Sequence, residues 1–525
     1  MLQAALVLLA LFAFSRVYKV WSGLKAVDYI SGIRCAFGAR SSLGLLLPTR
    51  LKSFFYNPGP NYVWEKQRTG GFEEDIVSVV PWLHGSPVAI VSSMEAMQQV
   101  LGYSDDFDKL TREPGTALFG TNVVTLQKEA WKKHRRVVHP AFSNKLYSLV
   151  WKESMRMFRD MVDTEGWDKK QSVDIPLLSN LTSKFTLNIV ASCAFDFRST
   201  WSDSIASVGN EMTLQECLKT VIGDAPVRIL APKWAYYVFP FGALRRVDTA
   251  FSTIFGFMRA QIALRREKIV SEDVTSEDTQ GKNTIFNNIV KANMDGGKFA
   301  FDEEEVIGNT FIMLFAGHET TARTLNSLLS LLALYQDEQD KVYQEIKRIL
   351  PDGRDSTFED FESFTQIRKC IQEAMRLYPP IGALLREAMH DVQIGVTNKI
   401  TGEKERTVVI KKGTQILVNV LGIHYNPRHF PDPETFKPSR WDDGSIDPDA
   451  FGGFGQGPRA CIGRKFSLAE ATCFVAMLLR DWRVEVDLAE GESPQQWQRR
   501  VMTDKATGPR GLGPISVRFV KRKSQ

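Results

Sequence analysis

From Leu2 to Phe14 the chain is apolar at every position except Gln3, and Val17, Val20, Trp21, Leu24 and Val27 then recur at helical spacing. At ~1.5 Å per residue the first run falls short of a bilayer interior of ~30 Å, nearer in length to a signal-peptide core than to a full span. No basic residue precedes it, and it ends in Phe14-Ser15-Arg16 without a small-x-small cleavage site. The pattern therefore predicts a retained anchor. Arg16, Lys19 and Lys25 follow the apolar run, which places the rest of the chain on the cytosolic side of the membrane.

Beyond the anchor, Leu45-Leu46-Leu47-Pro48 leads to the turn-rich Asn57-Pro58-Gly59-Pro60, which reads as a linker. The expected organisation is a membrane anchor and interfacial helix over 1–34, a linker over 35–60 and a globular body over 61–525. Helical patterning dominates from Lys128 to about Leu350, broken by the polar stretch Ser271 to Asp278. Between Val392 and Val420 the pattern changes to β-rich runs, Thr407 to Ile410 and Thr414 to Val420, set off by Lys-Gly turns. The predicted fold class is mixed, mainly α with a smaller β-rich part.

Composition narrows the function classes. A formal charge of +5 over 525 residues, spread along the chain, excludes a nucleic-acid binder with a concentrated basic face. Six cysteines, Cys35, Cys193, Cys217, Cys370, Cys461 and Cys473, lack paired spacing, which suits a reducing compartment better than a disulfide framework. The sequon Asn180-Leu181-Thr182 would matter only in a lumen.

The most informative segment is Phe454-Gly455-Gln456-Gly457-Pro458-Arg459-Ala460-Cys461-Ile462-Gly463, a glycine-rich loop that opens onto the helical run Phe466 to Leu479. A cysteine so placed suits a thiolate ligand to haem iron, which favours O–O cleavage where histidine favours oxygen carriage. The loop resembles that of the cytochrome P450 family, Phe-x-x-Gly-x-Arg-x-Cys-x-Gly, at every fixed position, and the likeness extends over almost the whole chain after the anchor. A second segment, Ala316-Gly317-His318-Glu319-Thr320-Thr321, matches the family's Ala/Gly-Gly-x-Asp/Glu-Thr-Thr/Ser helix. Glycine in mid-helix costs ~1 kcal/mol relative to alanine, so it marks a close approach or a local opening. The resemblance implies an opening toward the iron, with Glu319 as the acid and Thr320 as the alcohol of a proton relay to bound dioxygen.

The same resemblance assigns further roles. Glu373 and Arg376, in Glu373-Ala374-Met375-Arg376, share a helix face, and Arg440, in Phe436-Lys437-Pro438-Ser439-Arg440-Trp441, joins them in a structural cluster behind the cysteine loop. Trp131 and Arg135, in Trp131-Lys132-Lys133-His134-Arg135-Arg136, fall to a haem propionate, together with Arg386 and Arg459. His134 is either a further propionate contact or a core or solvated histidine. Phe454 is expected to pack beside the thiolate of Cys461, the axial ligand of a haem b.

Two weaker matches lead nowhere. His318-Glu319-Thr320-Thr321-Ala322 lacks the second histidine of a His-Glu-x-x-His zinc site. Gly455-x-Gly457-x-x-Ala460 follows no strand pattern, and Pro458 lacks an amide for a phosphate. The resemblance implies a fungal-like microsomal monooxygenase of the endoplasmic reticulum that inserts one oxygen atom from O2 into a hydrophobic small molecule, with terpenoids and other secondary metabolites as substrate classes. The chain has no flavin or nicotinamide segment, so electrons from NADPH must come through a separate NADPH-cytochrome P450 reductase, expected to dock around Arg464 and Lys465. Pocket walls are expected from Leu110 to Val123, Asn309 to Phe315, Ile381 to Leu385 and Thr507 to Leu512. Two other readings stay open: a haem-thiolate isomerase or dehydratase, and a membrane haem-binding protein without turnover.

Overall fold

The N-terminal pattern forms one helix, Leu2–Ala26, in the computed structural model of the chain. Its residues 2–14 stand exposed, whereas its second half is docked on the protein. Arg16 donates to the Leu83 carbonyl (2.8 Å) and Lys19 to that of Gly85 (2.9 Å). A Cβ at Gly23 would meet Val80 at 2.7 Å, so only glycine lets the helix lie this close. The structure describes residues 2–47, 56–58, 74–102, 105–110, 119–197, 199–203, 212–224, 227–228, 234, 236, 242–275, 284–397, 403–442, 444, 446–503, 512 and 514–522.

The expected break at residue 35 needs correction. Strand β1, Gly32–Phe37, pairs parallel with β2, Ile76–His84, from Gly32↔Ser78 to Phe37↔His84. Cys35 and Ala36 are buried there, so the chain has already entered a sheet where a linker was expected. Gly-Ile-Arg-Cys-Ala-Phe shows no clean alternation, and its strand state comes from the partner more than from its own pattern.

That sheet gathers distant segments. β3 (Val88–Val91), β4 (Phe107–Asp108), β6 (Leu384–Ala388) and β9 (Gln415–Val418) complete the order β1-β2-β3-β9-β6-β4. The parallel pairing of β3 with β9 and the antiparallel pairing of β6 with β9 and β4 bring the C-terminal strand region onto the N-terminal one. β7 (Val392–Thr397) and β8 (Lys404–Ile410) pair antiparallel within the stretch expected to be β-rich, and β8 contains the run Thr407 to Ile410. β10 (Trp482–Val486) pairs with β11 (Val517–Lys521), which pairs with β5 (Ser172–Ile175).

Helices fill the region expected of them, including Asn144–Thr164, Leu178–Phe195, Gly242–Thr275 and Glu303–Leu334. Gly242–Thr275 runs past Ser271, so part of the stretch read as a loop is helical; residues 276–278 lie outside the described residues. Glu303–Leu334 starts at a reciprocal cap in which Asp302 accepts from the Glu305 N–H and Glu305 accepts from that of Asp302. It packs on Leu178–Phe195, and its residues from Leu325 to Leu332 are buried on all sides. Arg464–Asp481 packs on Asn144–Thr164 on the other side of the core.

Candidate active site

One cavity collects side chains from each of these layers. Along the helix Glu303–Leu334, Ile312, Met313, Ala316, Thr320 and Thr324 face it, as the 3.6-residue period requires. Trp131 and Arg135, four residues apart on the helix Lys128–Val138, face it together, and so do Leu384 and Arg386, two apart on β6. Phe454, Arg459 and Cys461 close it from below. Val123, Val124 and Ile381 add apolar wall; Asn309 and Phe311, expected in the wall, are instead buried in the core. Residues 111–118 and 507–511 lie outside the described residues.

The cysteine loop is built on glycine geometry. Gly455 and Gly457 have φ of 67° and 66°, in the left-handed region that favours glycine. A Cβ at Gly457 would stand 2.0 Å from the Leu101 carbonyl oxygen, so this turn is pressed against the end of the helix Met94–Leu101. The Cys461 N–H donates to the Phe454 carbonyl (2.9 Å) and closes the loop. Cys461 opens to the cavity, while the other five cysteines are buried in protein. Burial pushes its thiol pKa up, and the Gly463 N–H, Arg135 and Arg464 pull the other way.

The cations around it are held in different ways. Arg459 lies over the Trp131 ring (4.2 Å) and donates from Nη2 to Asp108 Oδ1 (2.7 Å), while its Nη1 is buried without a partner among the described residues. Arg386 donates to the Leu385 carbonyl (2.8 Å). His134 does not line the cavity. Asn309 spends its amide oxygen on the Val123 N–H (3.1 Å) and donates to His134 Nδ1 (2.8 Å), so His134 Nε2 must donate to Glu305 (2.9 Å).

On the opposite wall the helix runs unbroken through Gly317, and a Cβ there would stand 2.9 Å from Val190 Cγ2. Close helix approach, not an opening, accounts for this glycine. Thr320 faces the cavity and donates to the Ala316 carbonyl (3.0 Å). Glu319 lies off the lining, 2.9 Å from Arg323 and 3.8 Å from His318 Nε2. His318 is itself buried, with Nδ1 on the Leu314 carbonyl (2.9 Å), and burial lowers its pKa. Sequence reasoning passed over Thr321, which donates to Ser467 (3.0 Å) and ties the long helix to the cysteine helix.

Behind the cysteine loop, Glu373 accepts from Arg376 through both oxygens (2.8 and 2.9 Å), from Arg440 (2.8 Å), from the Lys437 N–H (3.1 Å) and from Trp441 Nε1 (3.1 Å). Arg376 also donates to the carbonyls of His424 (2.9 Å) and Pro433 (2.8 Å). His424 carries the connection onward, since its Nε2 accepts from Gly452 N–H (3.0 Å) and its Nδ1 therefore donates to the Arg376 carbonyl (3.0 Å). Burial and Arg376 hold the His424 pKa down to about 3, so the ring is neutral and keeps this tautomer. Nothing local in the sequence marks His424 for this place.

Of the two basic residues expected to meet a partner, Arg464 is exposed with its guanidinium over Phe454 (5.3 Å). Lys465 instead sits over the rings of Tyr147, Phe358 and Phe361 (5.5, 5.5 and 6.0 Å).

A family model described as Cytochrome P450 matches residues 75–508. Cytochrome P450 monooxygenase 124 of Postia placenta is 29% identical over 509 residues, covering 95% of each chain. Cytochrome P450 4A10 of Mus musculus is 26% identical over 82% of this chain and 84% of its own. The solved haem domain of cytochrome P450DA superposes with a TM-score of 0.67 at 19% identity, covering 86% of this chain and 90% of that one, a likeness of fold. The matched residues include every residue that lines the cavity, from Lys109 to Ser467, and the chain belongs to the cytochrome P450 family.

Proposed function

We propose that the protein is a monooxygenase that inserts one oxygen atom from O2 into a hydrophobic small molecule, with electrons from NADPH delivered by a separate reductase. Family membership implies a cysteine-ligated haem, and the residues present fit one: a single cavity-facing thiol, flanked by Trp131, Arg135, Arg386 and the buried, unpartnered Nη1 of Arg459. The observation that carries the reading is Cys461 set in the same cavity as Thr320 and a largely apolar wall. The haem, a haem b in this reading, would supply dioxygen activation under thiolate push.

The chain's own residues have separable tasks. Cys461 would ligate the iron; Arg135, Arg386, Arg459 and Trp131 would hold the propionates; Phe454 would keep water from the sulfur. Thr320 keeps its proton on the Ala316 carbonyl, leaving its oxygen lone pairs free to accept from a water in the cavity. For Glu319 to pass a proton to Thr320, its side chain must leave Arg323 and rotate toward the cavity. Ile312, Met313, Val123 and Leu384 would exclude water around the substrate. The apolar wall supports a hydrophobic substrate, for which terpenoids and other secondary metabolites are the classes proposed.

The exposed, apolar first half of Leu2–Ala26 supports a single N-terminal anchor in the endoplasmic reticulum membrane, with the catalytic domain in the cytosol. Arg464, the more accessible of the two cations, would carry more of the reductase contact than Lys465.

The test is turnover with NADPH-cytochrome P450 reductase and 18O2 across a panel of apolar terpenoids. One labelled oxygen in the product, with matching NADPH consumption, is expected. Product without oxygen or NADPH use would instead identify an isomerase or dehydratase, and ligand binding without turnover a carrier. Thr320→Ala is expected to leave NADPH consumption largely intact while product per NADPH falls roughly a hundredfold, the low side of what a positioned proton-transfer group contributes.

A further inference from the structure

Among the described residues the cavity lining holds four cations, Lys109, Arg135, Arg386 and Arg459, and no carboxylate. A carboxylate stands directly behind them. Asp108 is largely buried, at 13% side-chain exposure against 12% for Arg459, and its Oδ1 accepts from Arg459 Nη2 (2.7 Å) and from the Lys109 N–H (2.8 Å). Its Oδ2 accepts from the Lys128 N–H (3.1 Å). Lys128 opens the helix that carries Trp131 and Arg135, and its φ of 45° is a strained value for a residue with a Cβ. One side chain therefore fixes both the arginine of the cysteine loop and the start of the Trp131 helix.

The orientation of Arg459 follows from this. With Nη2 on Asp108 and the guanidinium plane on Trp131, Nη1 is left buried and, among the described residues, unpartnered. A guanidinium can serve two carboxylates at once, each through different N–H groups along the edges of its plane. We infer that Asp108 is a positioning residue that aims Arg459 Nη1 at a haem propionate and, by its own negative charge, holds the iron's reduction potential down. This rests on the haem-thiolate reading above.

The sign is set by charge. Reduction adds one electron beside these cations, so removing a nearby negative charge favours the ferrous state. A unit charge on the order of 10 Å away, in an effective dielectric of about 20 to 30, changes the ferrous-to-ferric ratio about tenfold. For a one-electron couple that is about 59 mV.

The experiment is a spectroelectrochemical titration of the Soret band of the holoenzyme, for wild type, Asp108→Asn and Asp108→Glu. Asn keeps the shape and one acceptor oxygen, enough for Lys128 or for the Arg459 and Lys109 donors but not for both sets, while removing the charge. The expected result is an upward shift in Asp108→Asn equivalent to about tenfold, with Asp108→Glu near wild type. An unchanged or lowered potential in Asp108→Asn would overturn the inference, because a merely structural role would weaken haem retention without this shift. If Asp108→Asn yields no holoenzyme, Arg459→Gln and the double variant Arg459→Gln/Asp108→Asn decide, since the double variant leaves neither partner of the buried pair alone. Arg459→Gln is expected below wild type and the double variant back near it; a double variant that stays with Arg459→Gln refutes the charge effect. A wild type without a thiolate-type carbonyl spectrum would sink the underlying reading, a separate failure.

Discussion

Glu373→Ala is expected to yield no stable haem-binding protein at physiological temperature. The carboxylate is fully buried, as is Arg376, and Arg440 is nearly so. Truncation removes the acceptor of five hydrogen bonds and leaves two guanidinium groups facing each other away from water. Breaking one buried pair by removing a single partner costs about 3–5 kcal/mol, and here one carboxylate serves two cations. Whole-protein stability is only about 5–15 kcal/mol, so the loss is a large share of it. The damage reaches Cys461 by a traceable path, because Arg376 holds the His424 carbonyl and His424 holds Gly452 at the head of the cysteine loop. Glu373→Gln should recover part of the packing but not the charge. Soluble yield, unfolding temperature and haem per protein check the series; wild-type values in Glu373→Ala would show that the cluster is dispensable.

Gly457→Val should be nearly as damaging although it adds only three carbons. A β-branched residue at φ 66° carries a strain of about 1–3 kcal/mol. Its Cβ would also fall 2.0 Å from the Leu101 carbonyl, a backbone atom that cannot step aside as a flexible side chain would. Either the loop or the end of the helix Met94–Leu101 must move, and Arg459 and Cys461 follow within four residues. The expected outcome is loss of the thiolate-type spectrum with much of the fold retained, since the strain is local. Far-ultraviolet circular dichroism alongside the haem spectrum separates this from global unfolding. A wild-type haem spectrum in Gly457→Val would mean the loop tolerates a different turn.

Much of the site is legible in the chain because its chemistry is carried by short local motifs. Cys461 and Arg459 share one loop, Trp131 and Arg135 one helix face, and Glu373 and Arg376 another. What escapes the sequence is whatever depends on a partner far along the chain. Asp108 lies 351 residues from Arg459, on a two-residue strand whose state is set by β6. His424 looks like any histidine until Arg376 and Gly452 are brought to its two nitrogens. Gly317 satisfies a motif from which an opening was inferred, yet its physical reason is Val190 on a neighbouring helix. Likewise β1 became visible only when its partner β2 was in place, which is why the expected linker began inside a sheet. The overall class, mainly helical with a smaller strand-rich part, followed from periodicity because that signal is summed over many residues.

The central claim, a thiolate from Cys461 on a haem iron, is tested most directly by the absorption spectrum of membrane-bound protein after reduction and exposure to carbon monoxide, for wild type and Cys461→Ala. A strongly red-shifted Soret band in wild type that is absent in Cys461→Ala is the expected result. A histidine-type carbonyl band in wild type, or no haem at all, would contradict the account.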